Sequence, residues 1–282
     1  MTKIIADSTC DLSKEMIEEY GISIIPLHIL LGEEEYEDGC NITPEKIYEW
    51  SDANKTVPKT SAPSMEKAMD VIENAIAQGD DAVCFAISES MSTSANVMRL
   101  AVNELQAGEK VYVIDSANLS AGTGQLVVEA AKLAKKGMGA KEIAERMEKL
   151  KPKVRASFVV DTLTYLHRGG RCGGVAAMAG GVLKLHPRID VVNGKMEVGK
   201  KYRGRMEKVI MEYVVDMKDE LLKADAEHIF ITHSGCEQEI VDKVYDYLNR
   251  LGYFNHIFIT TAGGVISSHC GRGTLGVLFT SK

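Results

Sequence analysis

Val111-Tyr-Val-Ile-Asp115-Ser-Ala-Asn-Leu-Ser120-Ala-Gly-Thr-Gly124-Gln-Leu-Val-Val-Glu-Ala-Ala-Lys-Leu-Ala-Lys-Lys136 reads as a strand, a turn and a helix in immediate succession. The apolar, β-branched run Val111 to Ile114 predicts the strand. Ser120 to Gly124 supplies the turn, and Gln125 to Lys136 has helical character. This unit completes an alternation that begins at the third residue. Lys3 to Ala6 predicts a strand, about Asp11 to Tyr20 a helix stopped by Gly21, and Ile22 to Leu31 a return to β pattern. From Ser64, the apolar positions Met65, Ala68, Met69, Ile72 and Ile76 keep helical spacing as far as Gly79, and Ala82 to Ile87 predicts a buried strand. One more helix leads to Val111. Such alternation predicts an α/β fold, a parallel sheet with helices on both faces.

The pattern changes after the basic helix Lys141 to Lys151. A strand is expected near Ala156 to Val160, then a glycine-rich segment at 169–181 and a hairpin at Asn193-Gly194, whose dipeptide is a strong turn signal. A long helix over about Met206 to Lys223 follows, then a strand at His228 to Ile231 and a helix at Glu237 to Leu251. Strands at His256 to Ile259 and Leu275 to Phe279 complete the chain. The expectation is two domains, residues 1–150 and 151–282, which suits 282 residues at about 150 per domain.

Composition narrows the function. Hydrophobic residues make up 45% and charged residues 26%, with mean hydropathy −0.08, ordinary values for a folded globular chain. Aromatic residues are few against 13 Met and abundant Ile, Val, Leu and Ala, so the interior is aliphatic and adaptable. The net charge of −7 argues against a nucleic-acid partner. Six cysteines stand at wide spacings with no CxxC pair, which reads as reduced thiols of a cytoplasmic protein. The residues from Met1 onward show no signal-peptide pattern, and no run suits a transmembrane segment.

Several motifs lose their chemistry on inspection. Gly169-Gly-Arg-Cys-Gly-Gly174 has phosphate-loop spacing, but Val175 and Ala176 stand where Lys and Ser/Thr are needed. Gly122-Thr-Gly124 opens a helix after a strand, yet Val127 takes the third glycine's place and Asp115 precedes the motif. Ser64-Met-Glu-Lys67 matches SxxK, with only near misses at Ser51-Asp-Ala and Lys59-Thr-Ser for its companions, and Ser64 after Pro63 reads as a helix N-cap. His228 and His233, an odd number apart on and beyond a strand, point to opposite faces, and no metal site is expected. The basic stretch Lys200, Lys201, Arg203 and Arg205 reads first as a solvated hairpin end and second as a partner or phosphate docking surface.

Hydroxyl-rich segments remain. Thr60-Ser-Ala-Pro-Ser64, Ser88-Glu-Ser-Met-Ser-Thr-Ser94 and Asp115-Ser116 to Thr123 each fall at a strand end or helix start. In a doubly wound sheet such ends converge on one crevice. Neutral hydroxyls with helix-start amides suit a carboxylate better than a phosphate. Routine N-capping explains each segment singly.

Five motifs in order resemble the DegV family over nearly the whole chain. They are Asp7-Ser-Thr-Cys-Asp-Leu12, Thr60-Ser-Ala-Pro-Ser64, Asp115-Ser116, Thr162-Leu-Thr-Tyr-Leu-His-Arg-Gly-Gly-Arg171 and Ser268-His-Cys-Gly-Arg-Gly273. The resemblance implies an α/β/α parallel-sheet domain plus a second, smaller α/β domain with lipid held between them. It implies a long-chain fatty acid such as palmitate, its carboxylate on Thr60 and Ser92 with His269 nearby. Ser61, Thr93, Ser116, Gly170 and Arg171 are supporting candidates. It implies no catalytic residue, metal or cofactor in this bacterial type of carrier, whose partner is a separate ATP-dependent fatty acid kinase. Arg203 and Arg205 are candidates for docking that kinase, and transient contact with a membrane surface suits the lipid cargo. Thr93 stands where the family often has glycine, and Arg272 where it often has proline. Two other readings stay open beside this one. One is an acyl hydrolase or transferase using Ser64 or Ser92, which needs a base beside its serine. The other is a nucleotide-binding enzyme, which needs a cation-backed phosphate loop.

Overall fold

The computed structural model describes residues 1–172 and 185–282. Its first half contains β1 (Thr2–Asp7), α1 (Lys14–Tyr20), β2 (Ile22–Ile25), β3 (His28–Leu31), β4 (Glu34–Glu37), α2 (Pro44–Asn54), β5 (Lys59–Ser61), α3 (Met65–Ile76), β6 (Asp81–Ala86), α4 (Ser94–Glu104), β7 (Val111–Asp115), α5 (Ala121–Lys135) and α6 (Ala140–Leu150). The second half contains β8 (Val154–Val159), α7 (Thr164–Gly169), β9 (Leu185–Val192), β10 (Lys195–Arg203), α8 (Met206–Asp216), α9 (Lys218–Leu221), β11 (Ala224–Ser234), α10 (Gln238–Arg250), β12 (His256–Thr261), α11 (Gly264–Cys270) and β13 (Thr274–Ser281).

The expected parallel sheet is present, in the order β2-β1-β6-β7 with all three pairings parallel. Its strands are buried on both faces, because successive residues serve different cores. Ile4, Val83 and Phe85 pack toward α5 and α6, whereas Ile5, Cys84 and Val111 pack toward α3 and α4. A second, mixed sheet runs β10-β9-β8-β13-β11-β12. One of its faces carries α8 and α10, and Ala156, Phe230 and Leu278 on the other face join the core around α5. Helix α5 is therefore buried nearly all round between the two sheets.

Four expectations change in the structure. Ile22 to Leu31 is two strands in different sheets, because Pro26 and Leu27 separate β2 from β3 and β3 joins a three-stranded antiparallel sheet, β4-β3-β5. The helix expected from Asp11 starts at Lys14, where the Ser13 hydroxyl accepts from Met16 N–H, while Asp11 takes φ 49°. The expected turn Ser120 to Gly124 lies mostly within α5. A Cβ at Gly122 would stand 2.1 Å from Asn118 Oδ1, and one at Gly124 2.7 Å from the Cys10 carbonyl, so the glycines bring the helix start against its neighbours. The long helix from Met206 breaks at Met217 into α8 and α9. Asn193 and Gly194, at φ 50° and 77°, make the expected hairpin turn. Of the glycine-rich segment, Gly173 to Gly181 lies outside the described residues, with Gly174, Val175 and Ala176 of the phosphate-loop reading. No described helix is long and apolar enough to cross a membrane.

Candidate functional site

All three sheets contribute to one cavity of about 370 Å³. Thr60 comes from β5, which places it opposite Ile29, half-buried between the more exposed Lys59 and Ser61. Ser92 comes from the loop after β6, and His269 from the last turn of α11. Ser61, Thr93 and Arg171 also line the cavity. Its remaining walls are chiefly aliphatic, including Leu27, Ile87, Met91, Leu119, Met196 and Ile266. A smaller cavity of about 30 Å³ shares Leu119, Ile266 and Cys270 with it and reaches the second sheet at His233 and Phe158.

The polar end is built around one contact, Thr60 Oγ1 to His269 Nε2 at 2.8 Å. Burial, and secondarily the Arg171 charge, push the His269 pKa down to about 4, so the ring is neutral at pH 7. Its Nδ1 is buried and has no hydrogen-bond partner among the described residues. A Cβ on Gly169 would stand 2.3 Å from that nitrogen, so the end of α7 covers it closely. A buried N–H without an acceptor is the costlier orphan. The ring proton therefore belongs on Nε2, donating to Thr60, and the Thr60 hydroxyl proton is left to point into the cavity.

The loop carrying Ser92 is fixed from below. Asp7 Oδ2 accepts from Ile87 N–H at 2.9 Å, and Ser88 Oγ donates to the Gly194 carbonyl at the tip of the β9–β10 hairpin. Ser92 Oγ lies 2.9 Å from Ser94 Oγ and accepts from Ser94 N–H. Thr93 takes φ −89°, an ordinary right-handed value, so this loop does not need the glycine often found there in the resembled family. Arg171 donates to the Gly169 and Met91 carbonyls and lends the polar end a positive charge.

Other candidates lie elsewhere. Ser116 is buried against α5, with its Oγ 2.8 Å from Thr123 Oγ1, and does not line the cavity. Gly170 is the left-handed cap of α7. Ser64 caps α3, accepting from Lys67 N–H, with its own N–H donated to His28 Nε2. Arg272 stacks over the Tyr48 ring at 4.9 Å and is not a cavity-lining residue. Arg203 lines an open groove with Lys201 and Lys208 on the second sheet's edge, and Arg205 lies outside that lining. Burial pushes the Cys270 thiol up to about 12, so it is a neutral wall and no nucleophile. Three buried carboxylates near the site, Asp7, Asp11 and Asp38, had no role in the sequence reading. Asp7 and Asp11 were visible in the first motif, whereas nothing marks Asp38 in its polar surroundings.

Fold and site together define a three-sheet α/β protein that encloses a mainly aliphatic ligand cavity with hydroxyl, imidazole and guanidinium groups at one end. The chain belongs to the DegV family, since the family model described as "Uncharacterised protein, DegV family" matches residues 1–282. A DegV domain-containing protein of Clostridium acetobutylicum is 30% identical over 99% of this chain and 98% of its own. Among solved structures, a DegV family protein from Thermus thermophilus, described by its fatty acid binding, superposes with TM-score 0.90 at 27% identity, covering 100% of this chain and 99% of its own. A stearic acid-binding protein from Eubacterium ventriosum superposes with TM-score 0.87 at 28% identity and the same coverage.

Proposed function

We propose that this protein binds a long-chain fatty acid, with its carboxylate against Thr60, Ser92 and His269 and its acyl chain along the aliphatic walls. The observation that carries this reading is the Thr60–His269 pair at the polar end of an otherwise aliphatic cavity. The fatty-acid and stearic-acid ligands of the two solved relatives support it. At roughly 0.8 kcal/mol per buried CH₂, a long acyl chain contributes on the order of 10 kcal/mol before association costs. Hydrogen bonds to the charged head contribute about 1.5–3 kcal/mol each, which mainly offsets its desolvation and sets its direction. The tail supplies affinity and the head supplies orientation.

The same reading makes the protein a carrier that presents the acid to a separate ATP-dependent kinase, with the groove at Arg203 as the docking surface and Arg205 beside it. The hydrolase alternative finds less support. Ser64 lies outside the cavity lining, Ser92 Oγ is engaged with Ser94, and the imidazole faces Thr60. Mass spectrometry of an organic extract of the purified protein tests the proposal. Fatty acid of about sixteen to eighteen carbons is expected, equivalent to roughly 11–13 kcal/mol of gross methylene burial. Protein that is empty, and stays empty when offered palmitate, refutes it.

A further inference from the structure

His269 lies near the end of α11, a helix of seven residues. A helix this short does not hold itself in water and takes its position from external ties. Two of those ties are buried carboxylates. Asp11 Oδ1 accepts from Gly263 N–H at 2.8 Å, and Asp38 Oδ1 accepts from Gly264 N–H at 2.7 Å. Each carboxylate is itself pinned by a hydroxyl from another part of the fold: Ser120 Oγ donates to Asp11 Oδ2 at 2.5 Å, and Ser8 Oγ to Asp38 Oδ2 at 2.9 Å. Ser8 Oγ also accepts from the N–H of Leu27, itself a residue of the cavity wall.

The packing leaves α11 little freedom. A Cβ at Gly264 would stand 2.7 Å from Ile29 Cδ1 and 2.9 Å from Ile47 Cδ1, and one at Gly271, beyond the other end, 2.5 Å from the Tyr165 ring. Between these points α11 presents Val265, Ile266, His269 and Cys270 to the cavity. Two ionisable groups are an expensive way to cap a helix. Burial raises the pKa of both Asp11 and Asp38, and the charges of Asp38 and Asp7 raise that of Asp11 further. A neutral cap would satisfy the same two amides without that cost. Carboxylates offer stronger, shorter bonds to N–H groups and four acceptor positions, enough to fix a helix and its support together.

We propose that Asp11 and Asp38 are positioning residues for His269, holding α11 in the one register and rotation that sets its imidazole against Thr60. The proposal rests on the carboxylate-binding reading only for its effect on ligand affinity. Its structural core concerns the unliganded protein.

The experiment is NMR of the full chain with labelled histidine, on the wild type, D11A, D38A, D11N and D38N, alongside palmitate titrations. In the wild type the His269 ring should stay neutral with its proton on Nε2 down to about pH 5. In the Ala variants water reaches a loosened α11, so the ring pKa should rise by about one unit or more toward its ordinary value, and the Nε2–H signal should be lost. Palmitate affinity should fall about tenfold or more in the same variants. The Asn variants keep an amide oxygen for each N–H and should recover most of both properties. If the Ala variants do not fold, S8A and S120A, which unpin the carboxylates without removing them, should move the His269 pKa in the same direction. An unchanged His269 ring in folded Ala variants, or in S8A and S120A when those fail to fold, overturns the positioning role. Absence of palmitate binding by the wild type overturns the ligand reading instead, and leaves the ring measurement to stand by itself.

Discussion

Thr60 Oγ1 and His269 Nε2 stand 2.8 Å apart although 209 residues separate them in the chain. The contact joins β5, an edge of the small antiparallel sheet, to α11, which packs on that sheet's central strand β3 and on α2. It makes a neutral imidazole the partner of a hydroxyl, which turns that hydroxyl's proton toward the cavity.

Removing either hydroxyl should weaken fatty-acid binding. Thr60→Val and Ser92→Ala are each expected to cost about 1–3 kcal/mol of binding free energy. Ser64→Ala should leave affinity unchanged and lower stability by about 1 kcal/mol through its lost cap. Titration calorimetry with palmitate and urea unfolding separate the two effects, and unchanged affinity in both headgroup variants would show that the carboxylate lies elsewhere.

Gly169→Ala should damage the site without substituting any group that contacts ligand. Its new methyl would meet His269 Nδ1 at 2.3 Å and must displace the ring or α7. Gly108→Ala, where a Cβ meets nothing within 4 Å, is the control. The expected outcome is a loss of about tenfold or more in palmitate affinity for the first and none for the second. Equal affinities would mean that the ring's position is immaterial.

Stability should depend on pH with two opposing contributions. His269 has its pKa lowered from 6.5 to about 4, so its contribution is present above pH 6.5 and lost as pH falls through 4. Asp7 is raised from 3.8 to about 6 by burial, so its contribution is present below pH 3.8 and lost as pH rises through 6. His269→Asn should therefore lose less stability than the wild type between pH 6.5 and 4. Asp7→Asn should flatten the change between pH 4 and 7. Each difference is on the order of 3 kcal/mol, and urea unfolding across the range measures both.

The chain by itself should turn nothing over. Phosphorylating a carboxylate needs positioned ATP and metal, which on the carrier reading a separate kinase would bring. Calorimetry should show no ATP binding, and acyl phosphate should form only when a cognate kinase is added. Acyl phosphate or ester hydrolysis by the purified chain alone would overturn the carrier reading.

Local signals carried much of this protein into view. Glycine stops such as Gly21, the Ser64 cap and β-branched runs marked the βα units, because each is a property of a few neighbouring residues. The hydroxyl clusters around Thr60 and Ser92 were legible for the same reason, since strand ends in such a sheet converge. Ile22 to Leu31 was not legible as two strands. A continuous apolar run looks alike whether one sheet or two bury it, and only the partners of β2 and β3 separate them.

The sequence alone determined the element types, the parallel first sheet and the chemistry of the polar groups, because periodicity and side-chain type are local quantities. Tertiary structure alone decided which hydroxyls share a cavity. It brought Thr60, Ser92 and His269 together, left Ser116 against α5, and recruited apolar walls as far apart as Leu27 and Met196. It also decided that His269 is neutral and that Asp11 and Asp38 grip α11. Burial, proton affinity and contacts across two hundred residues arise from the packing of whole layers, and no stretch of chain carries them by itself.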